Sequence, residues 1–138
     1  MSDELEVVTR LVRATNEHDI DALVDCFAPG YVNETPTHPQ RGFRGRDQVR
    51  ENWTSIFAGV PDISARVVAS IVESGAVWTE WELSGTRRDG AHHAMAGVII
   101  FGVSRGRIAR ARFYLEPVEQ TSGDVNAAVQ RAMQAPTP

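Results

Sequence analysis

Apolar positions near the start of the chain follow a helical period. Leu5, Val8, Leu11 and Val12 recur on one face of the stretch from Leu5 to Ala14, behind Ser2 and Asp3 as capping types, and predict an amphipathic helix. A second helix is expected from Asp19, with Ile20, Leu23, Val24 and Phe27 as its stripe and Pro29-Gly30 as its end. The two make a helical hairpin. Arg46 to Ala58 returns to the same period, with Val49, Trp53, Ile56 and Phe57 on one face. Between them lies GYVNETPTHPQRGFRG. Its Tyr31-Val32-Asn33 start reads as a short strand, and Pro36 and Pro39 forbid a regular central one.

Beyond Gly59 the period drops to two. Residues 64–70, 76–84, 91–103 and 107–116 read as strands separated by Glu73-Ser74-Gly75, Arg88-Asp89-Gly90 and Ser104-Arg105-Gly106. Turns this short join antiparallel neighbours. Along the last strand Ala109, Ala111, Phe113 and Leu115 alternate with Arg110, Arg112, Tyr114 and Glu116, which predicts one buried and one polar face. Asp124 to Met133 holds Val125, Ala128, Val129, Ala132 and Met133 at helical spacing ahead of an APTP tail. Helices followed by a curved antiparallel meander give an α+β class, with the helices on one face of the sheet. Residues 1–120 are expected to form the domain and 121–138 a C-terminal helix and tail.

Composition narrows the functions. The 138 residues suit one domain, and no apolar run approaches the roughly 18 residues of a membrane helix. The acidic start MSDELEVV lacks the basic and apolar regions of a secretory signal, and a cytoplasmic location is expected. Cys26 stands alone, so no intrachain disulfide can form. A net charge of −4 with scattered arginines argues against nucleic acid as a partner. All 14 basic residues other than histidine are arginine. Schiff-base and lysine-nucleophile chemistry is therefore excluded.

The segments VVTRLVRATNEHDIDALVDCFAPGYV, RGFRGRDQVRENW, PDISARV and GRIARARFYLEP together resemble the SnoaL-like, ketosteroid isomerase-like branch of the nuclear transport factor 2-like superfamily, over about Glu4 to Glu119. The resemblance implies a cone-shaped half-barrel, its curved sheet wrapped around three N-terminal helices and open over an apolar pocket. It also implies a frequent homodimer through the outer face of the sheet. An apolar or aromatic small molecule is the implied ligand, and cofactor-free acid–base chemistry (isomerisation, cyclisation, dehydration or hydrolysis) the implied activity; a non-catalytic ligand-binding or accessory module is the alternative. Laid on this chain, the isomerase's tyrosine falls on Leu11, its base on Thr35 and its second acid near Val98. The arginine and aspartates of limonene epoxide hydrolase fall on Trp81, Leu83 and Phe113, and the cyclase acid near Phe113.

Glu34, beside the position of the missing base, is read either as a general base or as an ion-pair partner of Arg41, Arg44 or Arg46. His38 on the same loop is an auxiliary proton carrier or a solvated loop residue. Thr35, Trp53, Phe57, Trp81 and Phe113 are expected to contact substrate, with core packing as the other reading of the aromatics. His92 and His93 point to opposite faces of a strand, and no cofactor or metal site is expected. Which face Glu80, Glu82, Arg112 and Tyr114 take is open, because a one-residue slip would turn them inward.

Overall fold

A computed structural model describes residues 2–121 and 123–134. Helix α1 spans Asp3–Glu17; Ser2 accepts from Leu5 N, and acidic residues fill the first turn, where the helix dipole favours them. Its end is made by His18 in the left-handed region (φ 55°), whose N–H returns to Ala14 and Thr15. Asp19 then caps α2, Ile20–Asp25, by accepting from Ala22 N.

Here the chain departs from the expected helix. Phe27 opens strand β1 (Phe27–Glu34) instead of completing α2, and Pro29 and Gly30 fall within that strand. A register shift between Phe27 and Val32 accommodates them, and β1 pairs in parallel with the last strand, so the sheet is not a pure antiparallel meander. A single 3-10 turn, Pro39–Arg41, leads into the two-residue strand β2 (Phe43–Arg44), which pairs with β1. Helix α3 follows as Arg46–Gly59.

Strands β3 (Ser64–Glu73), β4 (Ala76–Thr86), β5 (His92–Ser104) and β6 (Arg107–Pro117) are antiparallel neighbours as expected, and the six-stranded sheet runs β2-β1-β6-β5-β4-β3. The sheet is curved and unclosed, giving the cone-like α+β fold. Val7, Val8 and Leu11 of α1 and Leu23 of α2 form the core with Val77, Trp81, Ile99, Phe101, Ile108 and Ala111 of the sheet. A register shift at Gly102–Val103 breaks the strict alternation expected of β6, so Ile108 and Ala111 are both fully buried. Side chains also fasten the layers. Asn16 accepts from Ala65 N and donates to Ala65 O, acting as a strand partner at the start of β3. Helix α4, Val125–Met133, is capped by Asp124 and has no buried residue.

The open question of register is resolved. Glu80, Glu82 and Arg112 are exposed on the outer face, where Arg66 pairs with Glu82 at 2.8 Å. Trp78, Val68 and Ile71 are exposed there as well. Among the described residues, no helix is long and apolar enough to cross a membrane.

Candidate functional site

The mouth of the cone encloses a cavity of about 610 Å³. Helix α3 supplies one wall through Val49, Asn52, Trp53 and Ile56, which recur at i, i+3, i+4 and i+7. The opposite wall comes from alternate residues of the strands: Leu83 on β4, Met95 on β5, and Phe113 and Leu115 on β6. Phe27 and Phe43 close it near Tyr31, whose ring meets theirs edge-on at 4.7 and 6.0 Å.

Polar atoms gather in two places. Tyr31 and Asn33 share the inward face of β1, and Tyr31 Oη donates to Asn33 Oδ1 at 2.7 Å. Asn33 Nδ2 reaches Thr35 Oγ1 at 3.4 Å. Burial pushes the Tyr31 hydroxyl far above its ordinary pKa, so it stays protonated and serves as a donor. The second group is Arg87 with His93, where Arg87 Nη2 lies 3.2 Å from His93 Nδ1. A tight turn presents Arg87: Asp62 accepts from Thr86 N at 2.6 Å, Arg87 N bonds Ala91 O, and Asp89 accepts from Ala91 N. Burial, then Arg87 and then His92, hold the His93 imidazole below its ordinary pKa. Thr86 N–H, directed at the Asp62 carboxylate, lowers that group in turn.

Arg41 also lines the cavity, and among the described residues no lining side chain is a carboxylate. Among the described residues no cluster of three or more His, Cys, Asp or Glu side chains could hold a metal ion. Cys26 is buried away from this cavity, and loss of hydration pushes its thiol up to about 11.

Thr35, Trp53 and Phe113 line the cavity. Glu34 does not. Between inward Asn33 and the loop it takes the exposed face of β1, opposite Arg112, and among the described residues it forms no ion pair. Strand alternation turns it away from the apolar cone. His38 lies outside the cavity too, with Nε2 2.7 Å from Glu116 Oε1, and ties the loop to the end of β6. Phe57 sits one position off the lining face of α3 and packs on the His18 ring at 5.0 Å. Trp81 is core: it is 3% exposed, meets Phe101 edge-on, and donates Nε1–H to Thr79 Oγ1.

Sequence reasoning missed Tyr31, Asn33, Arg41, Arg87 and His93. The signal for the first two was the period of two running from Tyr31, since it pairs Tyr31 with Asn33 and excludes Glu34. His93 carried a similar signal, two residues before Met95 on one face of β5.

The SnoaL-like domain profile matches residues 8–111. Among solved structures, Rv0760c of Mycobacterium tuberculosis, in complex with estradiol-17β-hemisuccinate, superposes with a TM-score of 0.73 at 18% identity over 83% of this chain and 94% of that one. An LEH-like epoxide hydrolase of M. tuberculosis gives 0.71 at 18% over 83% of each chain. IdmH, a candidate polyketide cyclase of Streptomyces antibioticus, gives 0.71 at 22% over 81% and 91%. Identities this low speak for the fold alone. No curated protein matches the sequence. The match runs from α1 into the start of β6, and the chain belongs to the SnoaL-like domain family.

Proposed function

We propose that this protein binds an apolar small molecule inside the cone. The observation that carries the reading is the cavity itself: about 610 Å³, walled by Trp53, Ile56, Leu83, Met95, Phe113 and Leu115, with a minority of polar side chains among them. Concave, mostly apolar sites with a few placed polar atoms are the usual form of small-molecule sites. Rv0760c, which shares the fold, holds a steroid ester, and that supports a polycyclic or similarly extended ligand here. Thermal-shift screening with steroid, terpenoid and aromatic polyketide-like compounds tests it. Hits that stabilise the wild type and lose affinity in Trp53→Ala support the reading, and a panel without any stabilising compound overturns it.

Acid–base catalysis is a second reading, and one residue favours it. His93 is the cavity-lining side chain whose ordinary pKa lies nearest neutrality, whereas Glu34 and His38 stand outside. Product analysis on each ligand found, with wild type and His93→Gln side by side, tests that step. The exposed apolar outer face of the sheet, with Trp78, Val68 and Ile71, supports a homodimer through that face, and light scattering on Trp78→Glu would read the change of mass.

A further inference from the structure

We infer that Arg87 and His93 form an oxyanion-recognition end of the cavity, so that its ligand is an apolar acid and not a neutral hydrocarbon. The inference rests on the small-molecule reading above and names the chemical class of the ligand.

Arg87 and His93 are joined by a hydrogen bond of their own. Arginine has donors and no acceptor, so a contact of 3.2 Å between Arg87 Nη2 and His93 Nδ1 requires a lone pair on Nδ1. In the neutral ring the proton then sits on Nε2. Both members of the pair are left with N–H groups to give and nothing to accept with. Neither side chain joins an ion pair among the described residues.

Among the described residues no other cavity side chain is hydrogen-bonded to Arg87 or His93. Asn33 Oδ1 already takes the Tyr31 hydroxyl, and Asn52 Oδ1 takes Gln48 Nε2 at 2.8 Å. Arg41 adds a second permanent positive charge to the lining, and no carboxylate offsets it. The lining is therefore rich in donors and short of negative charge. Charge-assisted bonds from a guanidinium to a carboxylate are roughly twice as strong as neutral ones. A ligand with one oxyanion and a hydrocarbon body satisfies the two donor groups and the apolar wall together; a neutral apolar ligand satisfies only the wall.

Matched probes test this: naphthoic acid against naphthamide, and anthracene carboxylic acid against its amide, titrated at neutral pH by calorimetry. Each acid is expected to bind about tenfold more tightly than its amide, roughly the strength of one added charge-assisted bond. Arg87→Met and His93→Leu should each remove most of that difference, with circular dichroism and residual binding of the amide showing that the variants are folded. Acid and amide binding equally well to the wild type would overturn the inference and leave the cavity reading standing. If no probe binds while the steroid, terpenoid or polyketide-like panel yields ligands, the inference alone falls; if neither set binds, both fall. An acid preference that survives in both variants would place the recognition elsewhere and overturn the assignment to this pair.

Discussion

Tyr31 Oη donates to Asn33 Oδ1 at 2.7 Å inside a wall where both residues are buried. The two are neighbours on the inward face of β1, so the bond is set by the pleat of the strand and needs no loop to hold it. Removing the hydroxyl in Tyr31→Phe strips a buried acceptor of its partner and should destabilise the fold by about 1–3 kcal/mol. Asn33→Leu should cost a similar amount by stranding the hydroxyl. The double variant should be more stable than the sum of the two losses implies, because neither orphan remains. Urea unfolding of all four proteins measures the coupling, and strict additivity would show that the bond contributes nothing.

Two tryptophans that look alike in the sequence separate in the structure. Trp81 is closed into the core and anchored through Thr79 Oγ1, which itself donates to Ile99 O. Trp53 is half-buried and faces the cavity. Trp81→Ala should cost about 3–5 kcal/mol, the range for a large aromatic removed from a packed core. Trp53→Ala should cost less in stability and more in ligand affinity. Chemical unfolding paired with calorimetry on both variants checks the split; equal unfolding midpoints would contradict it.

The helices, four of the strands and the α+β class were legible because period and short turns report burial directly. Arg46 to Ala58 and the strands from Ser64 onward needed nothing beyond that. The stretch from Phe27 to Gly30 was not legible: Pro29-Gly30 is a strong stop signal, yet a register shift beside β6 lets the strand carry both residues. The site was half legible. Trp53 and Phe113 follow from periodicity, while Arg87 and His93 come together only through the turn and the register of β5, which pairs His93 with Gly85. Glu34 was read both as a base and as an ion-pair partner, and strand parity, which the same residues display, puts it on the exposed face of β1.

That parity yields a simple control. Glu34→Gln alters an exposed side chain on the outer face of β1. It should leave stability within about 0.5 kcal/mol of wild type, as surface changes usually do. It should also leave the affinity for any cavity ligand unchanged. A large loss of binding in this variant would return Glu34 to the site.

Of the glycines, Gly97 leaves the least room for a side chain. At φ 148° it sits between Trp81 and Leu115 in register, and a Cβ at this position would run into Tyr114 O. The obstacle is backbone in a paired strand and cannot swing aside as a side chain would. Gly97→Ala should therefore destabilise by about 3 kcal/mol or more. Gly30→Ala, where the added atom meets nothing within 4 Å, is the matched control and should change little. Melting temperatures of the two variants, compared directly, give the result.

The sign of the pH dependence at His93 is fixed. In the free protein, burial with Arg87 and His92 nearby depresses its pKa, so the ring is neutral at and above neutral pH. An oxyanion bound beside it would favour the charged ring and raise that pKa. Binding of an apolar acid should then take up a proton. Affinity should rise as pH falls through the pKa of the complex and level off below that of the free protein. The uncharged amide should show no such slope. On fold stability the same group acts in one direction: its folded pKa lies below its unfolded value of about 6.5. Its contribution is therefore present above the unfolded pKa and lost as pH falls through the folded one. His93→Gln should flatten both curves. Arg87→Met, by removing a neighbouring cation, should shift the free-protein titration upward. Histidine NMR titration of the free protein and the complex reads the two pKa values, and a bound-state value at or below the free one would overturn the linkage.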